Sequence, residues 1–275
     1  MRLAGVARQT VLLTVVSFYT MLAGAPVLWV AVMSLRTTSE ISANAFAWPA
    51  PAHWEKYASA WTTSRYGTYF WNSAVIVVSA VAVLTVVGSM AAHALARYRF
   101  RGNRVIYFVL FSAIIFPPQL TIISLFQVLV EYGLFNTRLG VSLVYMAIQL
   151  PLTFYILEGF FAQIPQDYFD AAKIDGCSEL GVFWRLTLPI GMPAIATTII
   201  LNLIELWNEF LYAVVLVTDD EKRTLPLGIM RFMGDKLEDI GMIATGMMIA
   251  ILPVILVYAF LSERMIRGMT ASVLK

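Results

Sequence analysis

Residues 163–193 read QIPQDYFDAAKIDGCSELGVFWRLTLPIGMP, a stretch between two apolar segments that keeps helical order while carrying several charges. Pro165 stands where a first helical residue would, Asp167 and Asp170 fall in the first turns, and Gly176 arrives where a left-handed cap would end the helix. The pattern predicts one helix of about 10 residues. Ser178 can then cap a second helix, on which Leu180, Phe183 or Trp184, and Thr187 or Leu188 share a face while Glu179 and Arg185 point elsewhere. Pro189 marks the start of the next apolar segment. A helix, a glycine turn and an amphipathic helix, set between two apolar runs, present a knob to something in the water.

The apolar runs belong to a membrane. Hydrophobic residues make up 60% of the 275 and charged ones 13%, with a mean hydropathy of +0.77, outside the soluble range and typical of a polytopic membrane protein. The single cysteine excludes an internal disulfide, and neither C-x-x-C nor a Cys/His cluster offers a metal site. A net charge of +2 is too small to argue for nucleic acid.

Taken in order, the chain predicts six spans. The first runs from Thr10 to Leu35; Ala23-Gly24-Ala25 imitates a signal cleavage site, but the apolar run continues to Leu35, giving an uncleaved helix. Residues 36–69 form a polar and aromatic loop in which His53 reads as exposed or interfacial, and the aromatics suit a membrane-surface belt. The second span, 70–96, carries Gly88, Ala91, Ala92 and Ala94, small enough for close helix approach. The third, from Val105 to Val130, is interrupted by Pro117-Pro118, which removes two backbone donors and must break or kink it. The fourth covers 141–161 with Gln149 and Pro151, the fifth 188–217, and the sixth 241–263 with Pro253.

Between the second and third spans lies Arg97-Tyr98-Arg99-Phe100-Arg101-Gly102-Asn103-Arg104. The positive-inside rule makes this loop cytoplasmic, and that topogenic role accounts for the arginines without a nucleic-acid or lipid site. Two spans later the 163–187 loop falls on the same side, and six spans put both termini there. No repeat and no second soluble domain interrupts this, so residues 1–275 read as one all-α membrane domain.

No G-x-x-x-x-G-K-[ST] loop, nucleophile elbow or H-E-x-x-H is present, so any ATPase is a separate subunit. Within the spans the costly residues are Glu158, Glu205 and Glu209, since a mid-membrane charge costs about 2.5–3.5 kcal/mol. Glu158 lies within a turn of the cytoplasmic end, where it can snorkel or cap. Asn202, Glu205, Glu209 and Tyr212 recur at helical spacing as one polar stripe, with Trp207 and Asn208 alongside. Such a stripe can line a cavity suited to sugar hydroxyls and ring faces, or hydrogen-bond to neighbouring helices.

Asp170-Ala171-Ala172, Asp175-Gly176, Phe183 and Leu188-Pro189 resemble the "EAA" loop of permease subunits of ATP-binding-cassette (ABC) importers, most closely the maltose-type sugar permeases. Two positions depart from that pattern: Asp170 stands for Glu, with the same charge on a shorter stem, and Cys177 stands where a small residue such as alanine is usual. The segment Trp207-Asn208-Glu209-Phe210 also resembles its counterpart in those permeases. The resemblance implies a type I ABC importer permease fold in a prokaryotic cytoplasmic (inner) membrane. It implies a second homologous permease, two ATPase subunits holding ATP and Mg, an extracytoplasmic solute-binding protein and a carbohydrate substrate, with no cofactor on this chain. Leu225-Pro226-Leu227-Gly228, in the 218–240 loop, is placed like the loop that reaches toward the binding protein, and Gly268-Met269-Thr270-Ala271 resembles the tail that contacts the ATPases.

Three other readings compete. A stand-alone carrier would use Glu205 and Glu209 as a proton or cation site. A receptor or scaffold would call for a tightly packed bundle, against prolines at 117, 118, 151, 193 and 253. An importer of another solute, such as an amino acid, peptide, metal or glycerol phosphate, would keep the loop and change the cavity.

Overall fold

The computed structural model describes residues 2–230 and 239–273, with side-chain surroundings for 9–117, 119–230 and 239–259. The described chain is helical: α1 (Arg2–Ser34), α2 (Thr38–Ala43), α3 (Glu55–Thr62), α4 (Tyr66–Arg97), α5 (Asn103–Ile115), α6 (Ile122–Glu131), α7 (Arg138–Phe161), α8 (Gln166–Ile174), α9 (Glu179–Val182), α10 (Leu188–Trp207), α11 (Leu211–Leu216), α12 (Leu225–Ile229) and α13 (Ile240–Val273). Among the described residues, five stretches are long and apolar enough to cross a membrane: Gln9–Ser34, Tyr66–Arg97, Arg138–Phe161, Glu179–Trp207 and Ile240–Ala259. Two halves, Asn103–Ile115 and Gln119–Glu131, are apolar enough only when taken together and are bent by 100°, the geometry of a broken span or a re-entrant loop. The bend falls at Pro117-Pro118, where neither residue can donate a backbone hydrogen bond.

The chain forms two compact units, Met1–Gly67 with Ile229–Leu252, and Thr68–Gly228 with Pro253–Lys275. In the first, α1 leaves its apolar side chains exposed, Phe18 by 69% and Met21 by 78%, which suits a lipid surround. Order begins at its end. Ser34 pairs its hydroxyl with Tyr57 at 2.6 Å and accepts on its carbonyl from Thr245 at 3.0 Å. Buried Arg36 donates to the carbonyls of Glu40 (2.6 Å) and Asn44 (2.8 Å), and Lys56 donates to the carbonyl of Arg36 at 2.6 Å. A capping box between Thr37 and Glu40 starts α2. His53, read from the sequence as exposed or interfacial, is wedged between Glu55 (2.7 Å) and Glu40 (3.4 Å).

The second unit is built on α7 against α10. Ala92, Phe154, Leu157, Phe161, Ile164, Phe169, Val182, Ala194 and Ile195 form one buried cluster. At its centre α10 passes so close to α7 that a β-carbon on Gly191 would overlap the Phe161 ring. A buried hydrogen bond from Asn202 Nδ2 to Thr153 Oγ1 (2.8 Å) ties the same two helices together.

The fifth span differs from its expected 188–217. It begins at Glu179, because a π-helical turn at Phe183–Thr187 carries the helix into α10. Pro189 supplies the reason: it cannot donate to the carbonyl of Arg185, and the Leu188 N–H bonds back to Phe183 instead. It ends at Trp207, where Asn208 Nδ2 turns back to the Ile204 carbonyl (2.8 Å), and α11 starts afresh at Leu211.

Two outcomes are expected. Gly191→Val should lower the thermal unfolding midpoint of the solubilised protein through an overpacking cost of about 1–3 kcal/mol, with Gly191→Ala intermediate; an unchanged midpoint would contradict the close α7–α10 contact. The hydrogen bond to Glu55 raises His53 above its ordinary 6.5, opposed by a smaller desolvation effect. A raised folded-state value gives a stabilising contribution that is complete below 6.5 and is lost as pH rises through the folded value. Histidine-selective NMR should show His53 titrating above 6.5, and Glu55→Gln should bring it down.

Candidate functional site

The 163–187 loop leaves α7 at Phe161 and folds over its end. Pro165 is the N-cap of α8 rather than its first residue, and Asp175 is its C-cap. Gly176 has φ +79°, the left-handed conformation expected from its place in the sequence. Ser178 Oγ accepts from the Gly181 N–H at 3.2 Å, capping α9 as expected. Across the glycine turn, Lys173 Nζ lies 3.3 Å from Glu179 Oε1.

From behind, the loop is clamped by the end of α4. Arg97 donates to the carbonyls of Phe161 and Ile164 (2.7 Å to the latter), and its guanidinium carbon lies 3.9 Å above the Phe169 ring. One arginine thus caps the open carbonyls at the end of α7 and stacks on α8. Tyr98 donates to the Glu179 carboxylate, and burial together with that bond pushes its hydroxyl up to about 12. Thr187, fully buried, pairs with His93 Nδ1 at 3.0 Å, and the His93 ring sits 5.4 Å from that of Phe183. Sequence reasoning missed this clamp, although His93 and Arg97 stand one helical turn apart and so share a face.

The predicted loop residues divide into two sets. Phe183 is buried, Ala172 and Leu188 are half-buried, and Asp170, Ala171, Asp175, Gly176 and Pro189 are exposed. Of the face expected on the second helix, Phe183 and Thr187 turn inward with Val182, whereas Leu180 (62%) and Trp184 (55%) remain exposed. Tyr168 (54%) and Ile174 (86%) are exposed as well, as are Asp170 and Asp175, and Gln166 Nε2 donates to Asp170 Oδ1 at 3.0 Å.

The predicted membrane stripe is not one face, because its helix breaks. Asn202 is buried on Thr153, and Trp207 is buried with its ring 5.4 Å from Phe70. Tyr212 is buried on α11, its hydroxyl 3.2 Å from Thr121 Oγ1. Glu209 caps α11, accepting from the N–H groups of Tyr212 (2.8 Å) and Ala213 (3.2 Å). Glu205 and Asn208 remain exposed. Leu225 and Leu227 are buried in the fold rather than displayed on a free loop, and residues 231–238 of that loop lie outside the described residues. Gly268 to Ala271 continue α13, and their side chains lie outside the described set. Among the described residues, no group of three or more His, Cys, Asp or Glu is placed to hold a metal ion.

Residues 84–270 match the family described as "Binding-protein-dependent transport system inner membrane component". A diacetylchitobiose uptake system permease protein of Streptomyces coelicolor is 39% identical over 87% of this chain and 80% of its own length. A trehalose transport system permease protein of Mycobacterium tuberculosis is 32% identical over 91% of this chain and 92% of its own. The crystal structure of a bacterial ABC transporter involved in the import of the acidic polysaccharide alginate superposes with a TM-score of 0.78 at 22% identity, covering 95% of this chain and 96% of that one.

The capping role of Glu209 has a measurable consequence. Glu209→Ala should destabilise the detergent-solubilised protein by about 1 kcal/mol, while Glu209→Gln, which keeps one acceptor, should lose less. A Gln variant that unfolds as readily as Ala would show that the cap does not need that acceptor.

Proposed function

We propose a carbohydrate-importing permease, proceeding from the fact that this chain belongs to the family of binding-protein-dependent transport system inner membrane components. It is an all-helical, multi-pass membrane protein with the fold of an ABC importer permease. Relatives named for diacetylchitobiose, trehalose, and melibiose, raffinose and stachyose support a sugar or oligosaccharide as the solute.

In this reading the chain pairs with a second homologous permease, receives solute from an extracytoplasmic binding protein, and is driven by two ATPase subunits that carry ATP and Mg. It performs no hydrolysis and binds no cofactor. Both termini and the 163–187 loop face the cytoplasm, in line with the arginine cluster at 97–104.

The observation that carries the reading is the loop's two-sided construction. Its buried side is fixed to α4 and α7 through Arg97, whose guanidinium takes the Phe161 and Ile164 carbonyls, and to α4 through Phe183 beside His93. Its exposed residues include Tyr168, Ile174, Leu180 and Trp184 together with Asp170 and Asp175. Exposed aromatic and aliphatic side chains together with carboxylates on one firmly held loop suit insertion into a cleft of an ATPase. Asp170 supplies the ionic contact, and Gly176 sets the turn that brings Ala171, Ala172 and Asp175 to the same partner. ATP-driven closure of the ATPases would displace this knob, and the clamp would transmit the displacement to the spans as a rigid-body movement. Glu205 and Asn208, exposed beside the break in the fifth span, are the side chains of this chain best placed to meet sugar hydroxyls. Asn202, Trp207, Glu209 and Tyr212 hold the break in shape.

Affinity purification of the tagged chain from native membranes tests this directly. Wild type should recover an ATPase and a second permease. Asp170→Arg should lose the ATPase, a cost of about 2–5 kcal/mol for a reversed charge in a contact, while keeping the permease partner. Gly176→Val should insert normally and uncouple hydrolysis from uptake, because a β-branched residue is strained at this φ. A chain that purifies alone and still transports would overturn the reading.

A further inference from the structure

The arginines at 97–104 do more than mark a side of the membrane, because the loop folds them around a cleft. The chain leaves α4, turns at Gly102 (φ +98°) and enters α5, and Asn103 Nδ2 ties the turn back to the carbonyls of Tyr98 (2.7 Å) and Leu95 (3.2 Å). The cleft has a volume of about 640 Å³, and its polar lining is Arg97, Tyr98, Arg99, Asn103, Arg104 and Gln166. Arg97 is committed to the carbonyls of Phe161 and Ile164. Arg99 and Arg104 are exposed, and among the described residues neither is ion-paired.

Two guanidiniums without counter-charge in a ready-made cleft call for an anion with several acceptor oxygens. The surroundings say which kind. At the mouth stand Phe100 and Val105, and α5 continues from there with Ile106, Phe108 (69% exposed) and Val109 (60%) turned outward. A basic cleft at the foot of an outward apolar wall has the shape of an amphiphile, phosphate below and acyl chains above. Two contacts lead from the cleft to the 163–187 loop: Gln166 Nε2 donates to Asp170 Oδ1 at 3.0 Å, and Tyr98 donates to Glu179.

We propose that this cleft seats the phosphate headgroup of an anionic glycerophospholipid, held by Arg99 and Arg104, with its chains along α5. Through Gln166 and Tyr98 the bound lipid braces the loop that carries Asp170. The proposal does not depend on which solute is transported.

The test uses the complete transporter, purified with its co-isolating subunits and placed in nanodiscs of phosphatidylcholine with or without phosphatidylglycerol. Native mass spectrometry reads the retained phosphatidylglycerol, and ATPase rate reads the effect on the loop. An arginine near an anionic surface contributes roughly fivefold in affinity, so the Arg99→Gln, Arg104→Gln double variant should retain phosphatidylglycerol at least about tenfold less well. Arg101→Gln, outside the cleft lining, should retain it like wild type. Wild-type ATPase should respond to phosphatidylglycerol and the double variant should not, while both match in phosphatidylcholine alone. Equal losses in the double variant and Arg101→Gln would reduce the effect to diffuse surface charge. Displacement of phosphatidylglycerol by inorganic phosphate at comparable concentration would assign the cleft to a free anion. Loss of the ATPase subunit from the double variant would make it a protein contact. Each of these three results overturns the proposal.

Discussion

The guanidinium of Arg97 holds three elements at once. It finishes the carbonyls that α7 leaves open at Phe161, takes the Ile164 carbonyl, and covers the Phe169 ring of α8. Each contact is modest, but their geometry fixes where the loop starts and how it lies over the bundle. A cation at a helix C-terminus is favourable in itself, and here it also joins the end of one span to the end of another. His93, one turn earlier on α4, extends the contact to Thr187 beyond the glycine turn. The loop is thereby joined to α4 and α7 together.

Much of this could be read from the chain. Hydropathy and length located the spans, Pro117-Pro118 located the bend, and Gly176 and Ser178 located the turn and cap, because each signal acts within a few residues. The failures came where local pattern met long-range geometry. A stripe at helical spacing from Asn202 to Tyr212 assumes an unbroken helix, and Asn208 and Glu209 use their side chains to stop one helix and start the next. The face drawn through Leu180, Phe183 or Trp184, and Thr187 or Leu188 keeps Phe183 and Thr187 and loses Leu180, and the π turn that ends in front of Pro189 is not visible in a helical periodicity.

The arginine cluster shows the same difference in scale. As composition it predicts a side of the membrane, an expectation that needs no structure. As geometry it splits: Arg97 is a clamp, Arg99 and Arg104 line a cleft, and Arg101 lies outside that lining. Residues of one type within eight positions thus take up different physical tasks, Arg97 at the end of α4 and Arg99 and Arg104 on either side of the turn at Gly102.

The exposed length of α1 sets it apart from the rest. None of its most apolar window is buried within the chain, whereas over a third of the corresponding windows of the second, fourth and fifth spans is. Where a stretch meets no packed neighbour in its own chain, that chain's packing asks only for hydropathy, and Leu, Ile, Val and Phe are interchangeable as far as it is concerned. In α7 and α10 the same exchanges meet packed neighbours such as Phe161 against Gly191. The chain therefore carries two regimes of mutational tolerance, and drift among related sequences should collect in the first span while the loop and its clamp change little.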